Sequence, residues 1–276
     1  MRHYLFEQLR EDIFMQGEQR RSVEFSVLEF READLSEMEE WEAAALALTS
    51  YIASEVRTMM RLYLASAHDL DDEFLVNLAS ISQRAVVLRI WSAKLYEFID
   101  FVEKNNRQES KLPKPLLDLI DKTAQRLKEV KSGQGWAIAR AIRNETAFHY
   151  NLKAVKKNLR HLTSGVDLNF YFNSQAANSM FPIGEEVVFN GRLHRSGHPG
   201  ATVEQRGAIL KEWHTWNVSV TREVFRLHQK MVKAYVHPKQ QFAIPRKRSV
   251  SMANCKVKDF DSFRLPLFDV PGERSE

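Results

Sequence analysis

Arg143, Asn144 and His149 fall within two turns of one another in the stretch Trp136-Ala-Ile-Ala-Arg-Ala-Ile-Arg-Asn-Glu-Thr-Ala-Phe-His-Tyr-Asn151. An arginine supplies a planar, permanently charged fork of N–H donors that suits a phosphate, and a histidine can take or give a proton near neutral pH. Those are the two tools that metal-free cleavage of RNA requires. The stretch also carries Trp136, Ile138, Ala139 and Ile142 at spacings that bury one side of a helix. An Arg, four to six further residues and then a His recur as Arg61 and His68, Arg192 and His198, and Arg222 and His228. Only the Arg143 copy has Asn directly after the Arg.

Helix geometry constrains what the pair can do. At about 100° per residue, six positions turn through about 600°, so Arg143 and His149 stand roughly 120° apart on a straight helix. A kink near Ala147 to Tyr150, or two copies of the stretch meeting across a dimer, would bring both to one phosphate. The plainer alternative is a helix whose Arg143 pairs with a carboxylate and whose His149 is a satisfied, partly buried histidine.

The surroundings are basic. Residues 1–110 hold 12 Lys and Arg against 21 Asp and Glu, residues 111–161 hold 12 against 4, and residues 162–276 hold 16 against 11. The positive block therefore encloses the motif. Just beyond it Lys153, Lys156, Lys157 and Arg160 share one helical face, either a solvated side or a track for an RNA backbone. Leu152, Val155, Leu159 and Leu162 continue the apolar stripe on the other face.

The elements that must position these residues read as helices. Ser36-Glu-Met-Glu39 has the form of a capping box, and Met38, Trp41, Ala45, Leu48, Ile52, Val56, Met59 and Tyr63 keep three-four spacing to about Ala67. Asp69 to Asp72 form a polar turn, and a second helix runs from Phe74 to Asn105, antiparallel to the first. Pro113 and Pro115 open a third helix through Val130. Ser132-Gly133-Gln-Gly135 breaks the chain before the motif helix. Asp167 to Phe172 and Glu186 to Arg192 read as short strands within a segment of little regular structure. A last helix extends from about Val203 to Val236 with Leu210, Trp213, Trp216, Val220, Val224, Leu227 and Met231 along it, and Pro238 stops it. His194 and His198 are too poorly supported by Gly197 and Pro199 to hold a metal on a helix.

The segment Arg143-Asn-Glu-Thr-Ala-Phe-His149 resembles the signature of HEPN domains, an Arg, often followed by Asn, and a His four to six residues later. The resemblance covers residues 36–162. It implies an all-α, up-and-down HEPN-like bundle and a metal-independent endoribonuclease, of the kind found in toxin–antitoxin and phage-defence systems. It implies His149 as general base or acid for attack of a ribose 2′-hydroxyl on the adjacent phosphate. Arg143 would hold the phosphate and stabilise transition-state charge, and Asn144 would orient one of them or donate to a phosphate oxygen. Tyr150 follows His149 directly, unlike the His-any-Tyr pattern of the nucleotidyltransferase-paired branch.

The expected organisation is an N-terminal cap over 1–35, the bundle over 36–162, an irregular insertion over 163–201, a C-terminal helix over 202–237 packing on the bundle, and a flexible tail over 238–276. Val23, Phe25 and Val27 alternate as in a strand within the cap, whereas Tyr4 to Met15 reads as a helix. Ten Gly and eight Pro in 276 residues favour helices over a turn-rich β fold. The single Cys255 excludes an internal disulfide and fits a reducing compartment. With no signal-like apolar run and no membrane span, the expectation is a cytoplasmic protein without a metal or other cofactor. Its expected partners are RNA, a second copy of itself, and an antitoxin or defence-system protein. The competing expectation is a catalytically silent helical scaffold that binds RNA or a partner protein.

Overall fold

A computed structural model of the chain describes residues 22–66, 73–106, 112–146, 152–162, 165–174, 178–195, 203–240 and 246–251. The fold is all-α in its main body. The chain divides into two compact units, Met1–Arg31 with Gln240–Phe263, and Glu32–Lys239 with Arg264–Glu276.

In the first unit, β1 (Ser22–Val27) pairs antiparallel with β2 (Arg246–Ser251), placing Phe25 opposite Arg248 and Ser26 opposite Lys247. Arg246, Lys247 and Arg248 therefore lie in a paired strand, which corrects the expectation of an unstructured tail at that point. The alternation of Val23, Phe25 and Val27 is the pattern such a ribbon needs.

The second unit begins with α1 (Glu32–Ser36) and α2 (Glu40–Ala65). Ser36 does not cap the long helix. Its hydroxyl donates back to Ala33 O and closes α1, while the Glu39 carboxylate accepts from Glu42 N at 3.1 Å and caps α2. Helix α3 (Phe74–Asn105) returns along α2, and α4 (Lys114–Val130) starts with Pro115 in its first turn. Gly133, with φ of 98°, takes the left-handed conformation that breaks the chain before α5 (Gln134–Ala141). A π-helical turn, Ile142–Thr146, extends α5. Helix α6 (Leu152–Asn158) follows, closed by a 3₁₀ turn at Leu159–His161.

Residues 182–195 are helical throughout, as α7 (Pro182–Gly184), a π-helical stretch Glu185–Asn190 and α8 (Gly191–Arg195). This corrects the strand expected at Glu186 to Arg192. Burial alternates at Val187, Phe189, Gly191 and Leu193 because the segment is covered from two sides. Phe189 packs on Trp213, and Gly191 abuts Asn158 of α6. Ahead of it, Tyr171 and Met180 form an isolated antiparallel bridge. Arg89 of α3 grips the Glu185 carboxylate with two N–H groups, at 2.5 and 2.7 Å.

Helix α9 (Val203–Met231) continues through a second-unit π turn, Val232–Val236, into a 3₁₀ turn at His237–Gln240. It touches α2, α3, α4 and α5 and is the axis of the core. Trp213, Val220, Leu227 and Met231 are fully buried along it, whereas Leu210 is exposed. Its polar contacts are equally specific. Trp213 Nε1 donates to Ser92 Oγ at 2.7 Å, and Ser92 lies 2.8 Å from Asn217 Oδ1. Trp91 Nε1 donates to Thr221 Oγ1, and Trp216 Nε1 to Val130 O at the end of α4. Among the described residues no helix is long and apolar enough to cross a membrane.

At Gly135 α5 lies tight against α9, where an added Cβ would stand inside 3.0 Å of Trp216 Cβ. Gly135→Ala is expected to lower stability in urea unfolding by about 1–3 kcal/mol, the usual cost of overpacking. Gly184→Ala, where a Cβ meets nothing within 4 Å, is expected to be neutral or to stabilise by roughly 0.5–1 kcal/mol.

Candidate functional site

Helix α5 is seated by its first residues. Gly135 admits Trp216, and Trp136 stacks on Tyr96 of α3 with ring centres 5.0 Å apart and planes 11° from parallel. Lys131 Nζ covers the Trp136 ring at 5.6 Å. Ile138, Ala139 and Ile142 are buried, so the opposite side of α5 and its π turn faces outward. That side carries Arg140, Arg143 and Asn144, with Arg140 and Asn144 exposed and Arg143 partly so.

Arg143 is not a free cation. Its Nε donates to Glu97 Oε1 of α3 at 2.6 Å, and the two side chains keep 35% and 46% of their surface in solvent. The Glu97 carboxylate, first by this hydrogen bond and then by its charge, raises the Arg143 pKa above its ordinary value. Asp100, one turn along α3, adds to the negative potential. Glu97 was not legible as part of the site, because it lies 46 residues away in sequence and no local spacing marks it.

The i→i+5 pattern of Ile142–Thr146 begins one residue before Arg143 and widens the turn there. Such π turns collect at functional sites. The same conformation recurs at Glu185–Asn190 and Val232–Val236, so it does not single out the motif by itself. His149 lies outside the described residues, as do His68 and His198. His228 is a packed histidine, its Nε2 3.2 Å from Ser50 Oγ, and burial followed by the charge of Arg57 lowers its pKa.

On α6, Lys153, Lys156, Lys157 and the following Arg160 are all exposed, and none has a carboxylate within ion-pair distance among the described residues. The apolar half of the expected stripe is not core. Leu152 is 82% and Leu159 52% exposed, and the one buried residue of the helix is Asn158, whose Nδ2 donates to Val188 O. Helix α6 is held by an amide against the 182–195 segment rather than by a leucine face. Among the described residues no group of three His, Cys, Asp or Glu side chains is placed to hold a metal.

The fold and site define a helical bundle with a half-exposed Arg–Glu pair, followed in the chain by a short basic helix. No protein-family profile, no curated protein and no solved structure matches the chain.

An ion pair this open to solvent contributes roughly 0.2–1 kcal/mol. Glu97→Gln is therefore expected to change the unfolding free energy by no more than about 1 kcal/mol, as read by urea titration. A loss of several times that would make the pair a structural tie of α5 to α3 and remove Arg143 from the functional surface.

Proposed function

We propose that the chain is a non-catalytic helical RNA-binding scaffold, whose contact surface is the stripe Lys153, Lys156, Lys157 and Arg160. The observation that carries this reading is that Lys153, Lys156 and Lys157 of α6 and Arg160 of its closing 3₁₀ turn are all open to solvent and without carboxylate partners among the described residues. Spacing of three and four residues presents them as a row that a phosphate backbone can follow. The acidic first 110 residues would repel a polyanion. Glu97 weighs against catalysis, because a carboxylate 2.6 Å from Arg143 Nε competes with the phosphate that the arginine would have to hold.

A second reading, the HEPN-like metal-independent endoribonuclease of a toxin–antitoxin or phage-defence system, is favoured by one observation. The π turn opens at Ile142, and Arg143 commits only Nε to Glu97 among the described residues, leaving its terminal nitrogens for a phosphate. In that reading Arg143, Asn144 and His149 act together.

One experiment separates the two. Pure protein is mixed with RNA in EDTA at graded salt, beside a variant with all four stripe cations replaced by Gln. The scaffold reading expects intact RNA and binding that falls with salt. It also expects the slope of log K against log salt to flatten by up to about 3 in the variant, four contacts at about 0.7 each. An unchanged slope overturns it. Cleavage in EDTA that His149→Ala lowers by roughly 10²–10⁴-fold establishes the ribonuclease reading instead.

Either reading takes the chain as a two-fold dimer, supported by the outer face of α2. Trp41, Ala44, Leu48 and Tyr51 form an exposed apolar row. Acidic Glu37, Glu39, Glu40 and Glu42 lie at its start and exposed Arg57 and Arg61 at its end. An antiparallel pair of such helices sets opposite charges side by side. Light scattering is expected to give twice the chain mass at micromolar concentration and the single mass for Leu48→Glu; a monomeric wild type refutes the dimer.

A further inference from the structure

Three aromatic rings stand in solvent at the bridged segment that precedes α7. Phe172 is 80% exposed, Phe170 55% and Phe181 48%, yet all three touch. The ring centres of Phe170 and Phe172 are 6.2 Å apart with planes within 12° of parallel, and Phe181 lies 5.9 Å from the first and 5.7 Å from the second. At 80% exposure Phe172 must have an open ring face. Among the described residues no other three exposed rings are in mutual contact.

The backbone fixes these rings in place. Tyr171 and Met180 exchange both N–H···O bonds, at 2.9 and 2.8 Å, and Asn173 N donates to Ser179 Oγ at 3.0 Å. The Tyr171 hydroxyl donates to Asp167, and its ring leans on Phe74 of α3. Side chains alternate along extended backbone, so anchoring Tyr171 on one side turns Phe170 and Phe172 to the other. Phe181, next to Met180, meets them there. A surface ordered in this way before a ligand arrives loses little entropy on binding.

An exposed apolar patch marks a binding surface, and the composition around this one narrows the partner. From Leu168 to Gly184 there is no Asp, Glu, Lys, Arg or His, in a protein that is 28% charged. The amides of Asn169 and Asn173 flank the rings along the chain, and both residues are exposed. A lipid tail or a protein core would be met as well by aliphatic side chains. Flat rings flanked by neutral amides match a partner with flat faces and hydrogen-bonding edges of its own, which is an unpaired nucleobase. The positive charge that such a strand requires is close by. Seven residues of helical chain, about 10 Å at 1.5 Å per residue, separate Phe181 from Val188, whose carbonyl accepts from Asn158 Nδ2 of α6 at 3.3 Å.

We propose that Phe170, Phe172 and Phe181 form a stacking platform for the bases of a single-stranded RNA whose backbone runs along the α6 row. The inference rests on the reading of that row as an RNA contact and adds the form of RNA bound. Duplex RNA is excluded, because its bases are stacked on one another and present no face to a ring. Each base stacked on an aromatic side chain raises affinity about 5–150-fold, without regard to sequence.

The test is fluorescence anisotropy of the full chain at graded salt with two labelled probes. One is an unstructured RNA strand of mixed sequence, and the other is an abasic ribose–phosphate oligomer of the same length, which keeps every phosphate and lacks every base. The wild type is expected to bind the RNA at least fivefold more tightly than the abasic strand. The double variant Phe170→Leu/Phe172→Leu, apolar but without flat rings, is expected to lose that preference, and Phe172→Tyr to keep it. Replacing Lys153, Lys156, Lys157 and Arg160 by Gln should flatten the salt dependence and leave the preference for bases. Equal binding of the two strands by the wild type overturns the platform while leaving the α6 row intact, and needs no variant to fold. A preference that survives in the leucine variant also overturns it. Absence of binding to either strand removes the platform together with the reading beneath it. Vesicles of phosphatidylcholine and phosphatidylserine that bind the wild type and the leucine variant alike, with no preference for bases, assign the rings to a membrane instead.

Discussion

Ser92 joins the two longest helices of the bundle through a single hydroxyl. It accepts from the Trp213 indole and stands at hydrogen-bonding distance from the Asn217 amide, and the Asn217 Nδ2 donates in turn to Trp213 O. All three residues are sealed from solvent. In a low-dielectric core each missing partner would leave a buried polar group unsatisfied. The link therefore fixes the rotation and axial position of α9 against α3, which apolar contact alone does not specify. With Trp91 donating to Thr221 one turn further, α3 and α9 become a rigid pair. The remaining long helices pack against it.

The candidate surfaces inherit their positions from that pair. Trp216, held by its bond to Val130 O, presents the flat side against which Gly135 sits, and Gly135 leads directly into the helix that carries Arg143. Tyr96 and Glu97 are neighbours on α3, one stacking on Trp136 and the other meeting Arg143. The arginine is thus placed by the core even though its own side chain is half in water. Helix α6 has a looser footing, an asparagine amide and the absence of a side chain at Gly191. Its cations and its leucines Leu152 and Leu159 are alike exposed.

The sequence discloses periodicity well and partners poorly. The spans of α2, α3, α4 and α9 follow from three-four spacing and from Pro113 and Pro115, because a helix must bury one stripe whatever it meets. The capping pattern at Ser36 points to the wrong residue, since Ser36 and Glu39 both precede a helical run and only side-chain geometry tells them apart. Residues 186–192 alternate as a strand does, yet they are helical, because a short helix squeezed between α9 and α6 is covered on two faces. Leu152 and Leu159 keep a core-like spacing but are exposed, with no helix over them among the described residues. At the site, Arg143 and Asn144 were legible and Glu97 was not.

Helix α9 also has a temporal side. The indole of Trp216 caps Val130 from 86 residues further along the chain, and Trp213 reaches Ser92 across 121. At translation rates of about 5–20 residues per second, roughly 4–17 s separate the emergence of α4 from that of its covering tryptophan. During that interval Leu95, Phe98, Ile120 and Leu127 have no α9 to lie against. Nascent chains of this protein thus pass through a stage in which the core that α9 completes is still open.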